Sequence, residues 1–308
     1  MSRSLVKRIV LAVLGLWLLA ALGLGAAWLH SGWRRLDTLP TPDLALAAPF
    51  RPYAEHGQVP GAWDRPYILR LDDPASGGAL YFFGSGHTGD PADPQIAMIK
   101  DAWRAFDPTL ALIESRLGLY IGGLDAGVRM FGEGGAVYAL ARDDDVPAFS
   151  LEPDWADEIA AVRATCSREE VAAFYTMRMV VGERGGRTGN ALEDLARAAL
   201  AKRGGLPGLE GTFADLAEFD AWWGENLAPA VGDWRDLPAE AMWPKAEGTR
   251  LNLIAHASNR ARDHHLTRLV IDRVRHGERV FVVCGASHAL TIEPALTAVP
   301  GWRRVARM

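Results

Sequence analysis

Two cysteines in 308 residues, Cys166 and Cys284, are too few for a disulfide framework or a thiolate zinc site. Cys284 falls inside an apolar run, where a buried thiol behaving as a small hydrophobe is the expected role. No basic stripe with interleaved aromatics stands out and the net charge is −5, which argues against nucleic acid as a partner. No repeat of the solenoid kind is present. Ser85 and Ser287 lie in no G-x-S-x-G elbow, which speaks against a serine nucleophile. The aspartate run at 143–145 lacks the converging oxygens a cation site needs and reads as a solvated turn.

Charge is also missing from residues 9–29, IVLAVLGLWLLAALGLGAAWL. At ~1.5 Å per helical residue this segment spans the ~30 Å hydrocarbon core of a bilayer, and it is longer than the ~7–15 residue apolar region of a cleaved signal peptide. Residues 1–35 therefore read as an uncleaved single-pass membrane anchor. Arg3, Lys7 and Arg8 precede the apolar segment and Arg34 and Arg35 follow it. The cationic start favours an N-terminus inside, placing the rest of the chain outside the cytoplasm, in the periplasm of a Gram-negative source.

Residues 36–66 hold Pro40, Pro42, Pro49, Pro52, Pro60 and Pro66, a density that prevents regular helix and marks a linker or a wrapping lead-in. From residue 67 the pattern changes. YILRL and ALYFF read as a hairpin, PQIAMIKDAWRAF as a helix, TLALIE as a short buried strand, and residues 122–142 as a glycine-interrupted helix. VPAFSLE is a further strand, a helical stretch follows, and 251–277 has the pattern of one long amphipathic helix carrying Leu251, Ile254, Ala261, Leu266, Leu269 and Val270 on one face. RVFVVC is a last buried strand, followed by a short helix and WRRVAR. Strands alternating with helices give an α/β fold over 67–308, a mixed central sheet flanked by helices with a helical insertion at about 154–245. Trp222, Trp223, Trp234 and Trp243 belong to that insertion and are expected to pack there.

In open α/β sheets, ligands bind beyond the carboxyl ends of the strands. Those ends carry His87 in GSGH, Glu114, Glu152 and His288 in GASH. Two imidazoles and two carboxylates suit Zn²⁺, Mn²⁺, Fe²⁺ or Co²⁺, with a spare carboxylate available as a general base. The glycine before each histidine is expected to turn the chain sharply off the strand. Elsewhere, His264 and His265 are adjacent on a helix and diverge by about 100°, so they do not share a metal. His256 and Asp263, seven apart, read as a solvated or capped polar face.

The order GSGH, IESR, FSLE, a helix with a basic residue and VFVVCGASH resembles the TraB/PrgY–Tiki superfamily, which takes in GumN-like proteins, erythromycin esterases and ChaN-type haem-binding lipoproteins. The resemblance covers roughly residues 67–300. Two departures stand out: the first motif lacks the threonine common in GumN-type members, and no lipoprotein cysteine follows the apolar segment. The resemblance implies a metal-dependent hydrolase, a peptidase or esterase. His87, Glu114 and His288 would be its metal ligands. Glu133 or Glu152 would be the base or a carboxylate orienting an imidazole, and Arg262 would stabilise an oxyanion or hold Glu114. Two alternatives from the same group are a metal-free, histidine-dependent esterase and a non-enzymatic protein that binds haem, iron or a partner chain.

Overall fold

The computed structural model describes residues 3–31, 36–114, 116–117 and 122–305. Arg34 and Arg35, Ser115 of the IESR segment and residues 306–308 lie outside them. Helix α1 (Arg3–Ser31) contains a stretch, Arg8–Ala26, long and apolar enough to cross a membrane or to serve as a signal sequence, and none of that stretch is buried against the rest of the protein.

The remaining chain is α/β. Strands β1 (Tyr67–Asp73) and β2 (Gly78–Ser85) form an antiparallel hairpin. Helix α2 (Pro94–Phe106) starts where Asp93 accepts from the Gln95 N–H and Pro94 supplies a pre-set φ, and it stops at Asp107 in the left-handed region. β3 (Leu110–Ile113), α3 (Leu124–Asp143) and β4 (Ala148–Ser150) follow. The helical segment comprises α4 (Trp155–Arg163), α5 (Arg168–Glu183), α6 (Gly189–Arg203), α7 (Leu216–Asn226) and α8 (Ala228–Val231). α9 (Arg250–Arg275), β5 (Arg279–Gly285), α10 (Ala286–Thr297) and β6 (Arg303–Arg304) complete the order.

The six strands lie in the order β4-β3-β5-β2-β1-β6. β4, β3, β5 and β2 run parallel to one another, and β1 and β6 add an antiparallel edge, so the sheet is mixed. β5, the last of the parallel strands in sequence, fills the gap between β3 and β2. Its residues alternate: Val280, Val282 and Cys284 face a core built with α9 and α10, while Phe281 and Val283 face one built with α2 and α3. Both faces are covered, which accounts for the apolar runs of β3 and β5.

The helical segment has a hydrophobic core of its own, including Phe174, Phe219, Trp223 and Trp234. Trp222 packs against it, whereas Trp243 remains 41% exposed. Helix α9 joins the two cores. Leu251, Ile254 and Ala255 pack on the helical side, and Leu266, Leu269, Val270 and Val274 on the sheet. Rather than a single apolar stripe with a wet back, α9 is buried on several sides, and Arg262, Asp263 and His265 are buried with it. Ala261 is only half-buried.

Residues 36–66 take the wrapping form of the two expected for them. Thr38 bridges to Ser150, the Arg51 N–H donates to the Thr291 carbonyl at 2.9 Å, and Leu39, Leu44, Leu46, Phe50 and Val59 pack on the α9/α10 core. This strap is seamed by histidines. His56 Nε2 lies 3.2 Å from Thr291 Oγ1, His265 Nδ1 lies 2.7 Å from Thr41 Oγ1, and Phe50 packs at a tilt against His264 with ring centroids 4.5 Å apart.

Candidate functional site

Strand register gathers the site. Phe83, Val283 and Ile113 are aligned across β2, β5 and β3, and Ile113 pairs with Ser150 of β4. The residues that follow therefore emerge along one edge. The Glu114 N–H donates to the Val283 carbonyl, and the Leu151 N–H to the Ile113 carbonyl, each at 3.0 Å, extending the ladder just past the strands and leaving the Glu114 and Glu152 side chains at that edge.

The two glycine-histidine motifs behave differently from a sharp glycine turn. Gly84 is still within β2, and Gly285 is both the last residue of β5 and the N-cap of α10. His288 sits in the first turn of α10 and is buried, while His87 lies in the loop after β2 with its side chain 76% exposed. The use of glycine at 285 is steric. A Cβ there would lie 3.4 Å from His87 Nε2 and 3.5 Å from Glu114 Oε2, so the missing side chain leaves the space between imidazole and carboxylate open.

At the buried end, Asp263 Oδ1 is 2.5 Å from His288 Nδ1, and His288 Nε2 is 3.5 Å from Glu114 Oε1. Glu114 accepts the Gly285 N–H at 2.6 Å and Arg262 Nη2 at 2.9 Å. Arg262 also forks onto Glu152 through Nε and through Nη2 at 2.6 Å, and its Nη1 donates to Asn259 Oδ1 at 3.2 Å. Asp263, His288, Glu114, Arg262 and Glu152 thus form one chain of alternating charge. Such a network fixes geometry, because each buried charge would be costly without its neighbours.

Burial opposes charge on Glu114, Glu152, Arg262 and His288, and their partners outweigh it. His288 is carried up to about 10 against its burial by Asp263 and Glu114. Glu114 is held well below the usual carboxylate range, burial notwithstanding, by His288, Arg262 and the Gly285 N–H. Arg262 likewise overcomes the burial of Glu152 and lowers it.

At the exposed end, Glu133 accepts the Thr88 N–H at 2.5 Å, and its other oxygen is 3.7 Å from His87 Nδ1. The Glu133 carboxylate beside it, opposed by burial and joined by the Glu114 charge, leaves the His87 imidazole raised. A kink in α3 makes this contact. Gly132 adopts φ +59°, and a Cβ there would come within 2.9 Å of the Thr88 carbonyl, so only glycine lets the loop close on Glu133 without strain.

The six residues expected from sequence are therefore distributed over two linked groups. Glu114, Glu152, Arg262 and His288 form the buried one, and His87 with Glu133 stands across Gly285 from it. Glu114, Cys284 and His288 bring ligand atoms within 4.8 Å of one another, a grouping that could hold a metal ion and that does not include His87. Burial and then the Glu114 charge push the Cys284 thiol well up. Of the two roles expected for Arg262, the contacts match holding Glu114, since its guanidinium is occupied by Glu114, Glu152 and Asn259.

Asp263 is the member of the buried network that its sequence context did not place there. Expected on a solvated face, it is 1% exposed and orients His288. Consecutive polar residues flanked by apolar ones on a helix that packs on both sides were the available signal. Glu158 was also passed over: it accepts from Tyr175 at 2.6 Å, Ser258 at 2.8 Å and Arg116 at 3.3 Å, buttressing the wall beyond Glu152. No protein-family model, curated protein or solved structure matches the chain.

Proposed function

We propose that this chain is a hydrolase of TraB/PrgY–Tiki type acting on an ester or peptide bond, attached to a membrane through α1 with its α/β part outside the cytoplasm. The observation that carries the reading is the Asp263–His288–Glu114 arrangement. A buried carboxylate fixes one imidazole nitrogen and leaves the other facing a second carboxylate at a parallel-strand edge.

The donor chemistry fits a divalent cation. Glu114 and Glu152 share one guanidinium, Arg262, while Asp263 pairs with His288, and the remaining negative charge favours a proton or a metal at His288 Nε2. Glu114 and His288 would hold the ion, with Cys284 the third donor, and it would supply Lewis-acid activation of water or a carbonyl. Asp263 keeps the His288 proton on Nδ1. Arg262 and the Gly285 N–H hold Glu114 in place. His87, raised by Glu133 and exposed at the rim, gives a proton to the departing group.

A metal-free, histidine-dependent esterase is the second reading. It is favoured by Arg262, which already neutralises Glu114, and by the protonated state that burial imposes on Cys284. Metal content and hydrolysis of ester and peptide panels by the detergent-solubilised full chain test both. On the first reading wild type holds about one ion, E114Q and H288A lose it, and H87A keeps it but loses turnover. Hydrolysis that survives chelation and disappears in H87A selects the second. A folded wild-type chain that neither retains metal nor hydrolyses any member of the panels overturns both.

A further inference from the structure

A cavity of about 490 Å³ opens between the strand edge and α4–α6, and it meets the candidate site through Glu152 and Arg262, which line it. Five cationic side chains line this cavity against three carboxylates. Two of the five are already matched, Arg262 by Glu152 and Arg116 by Glu158 at 3.3 Å. Arg178, Lys202 and Arg203 share the cavity with Glu183 alone, and among the described residues none of the three forms an ion pair. Arg203 Nε is buried without any hydrogen-bond partner.

The guanidiniums are also held in place. Arg116 lies over the Trp155 ring at 3.7 Å and Arg203 approaches the same ring at 5.3 Å, so one indole braces two cations beside the opening. Crowding is felt chemically: burial first, then Arg178 and Arg116, pull the Arg203 guanidinium below its ordinary value. A braced, half-buried Arg203 beside the exposed Arg178 and Lys202 constitutes an oxyanion receptor, because a planar fork pairs with carboxylate or phosphate oxygens at little further entropic cost.

We propose that this cavity binds the anionic group, a carboxylate or a phosphate, of the molecule processed at the adjoining Glu114–His288 cluster. The link to processing rests on the hydrolase reading, whereas anion binding does not. The substrate class becomes an acidic peptide or an anionic ester, with the charged group on the α4–α6 side of Arg262 and the scissile bond on the strand-edge side.

Calorimetric titration of the detergent-solubilised full chain with inorganic phosphate and with succinate, at low salt, tests it. Binding of at least one anion is expected, and the tighter of the two identifies the group recognised. R203Q should weaken that binding by about tenfold and the more exposed R178Q by about threefold, reflecting charge-assisted hydrogen bonds of different burial. R104Q, on α2 away from the cavity, should bind as wild type. Should R203Q not fold, R178Q and K202Q carry the test. Absence of heat with both anions, or unchanged affinity in the cavity variants, overturns the inference. H288A should retain anion binding. Binding without hydrolysis would then sink only the hydrolase reading, and hydrolysis without anion binding only this one.

Discussion

Acid should loosen the strap before it disturbs the sheet. His56 and His265, 6% and 2% exposed, are both lowered to about 4, chiefly by burial, and both seat the strap against α9 and α10. Their unfolded value is 6.5. Below it the unfolded chain takes up protons that the folded chain refuses, so stability falls with pH from 6.5 to about 4 and levels off beneath that. At ~1.36 kcal/mol per pKa unit, each histidine costs about 2 kcal/mol at pH 5, about 4 kcal/mol together, against a typical total of ~5–15 kcal/mol. His264, also lowered and packed against Phe50, acts in the same direction. The window is otherwise quiet. Glu114 and Glu152, whose values are lowered, keep their stabilising contribution above the ordinary carboxylate range and lose it only as pH falls below that range, and His288 loses its contribution as pH rises toward 10. Urea denaturation from pH 8 to 4.5, paired with limited proteolysis after Arg51 or Arg65, reads both stability and strap release. H56Q/H265Q should flatten the slope between pH 6.5 and 4.5. A double variant with the wild-type slope refutes the reasoning.

Three further outcomes follow from the site. D263N leaves His288 without its buried carboxylate and should cost about 3–5 kcal/mol in chemical denaturation, as expected when one partner of a buried pair is removed. G132A combines a positive φ with a 2.9 Å approach to the Thr88 carbonyl, so it should lose about 1–2 kcal/mol or more in thermal unfolding; an unchanged melting temperature contradicts the kink's role. G285A meets only ordinary contact distances, so stability should change by less than about 1 kcal/mol while its methyl occupies the space between His87 and Glu114. Steady-state turnover in G285A should drop at least tenfold on a substrate hydrolysed by wild type, and unchanged turnover places the chemistry elsewhere.

Much of the local structure was legible in the residues. The 94–106 helix with its Asp93 cap and leading proline, the 67–85 hairpin and the four-residue buried strand at 110–113 carry their signals within a few positions, because capping, alternation and turn chemistry act locally. The apolar 8–26 stretch is as plain in composition as in structure. The strap was harder to read, since a proline-dense segment has no periodicity to show which side chains are buried.

The site divides along the same line. That Glu114, Glu152 and His288 follow parallel strands is a property of the sequence pattern, and strand register then brings such residues to one edge whatever their identity. Which of them touch is a tertiary matter. Asp263 reaches His288 across 25 positions only because α9 packs on the sheet and the helical core at once, which turns a polar pair inward. Cys284 joins Glu114 and His288 while His87 stays across Gly285 because alternation along β5 aims the thiol to one face and the chain after β2 leaves toward the α3 kink. The backbone periods are set by neighbouring residues, but the meeting of distant side chains is set by how whole elements dock.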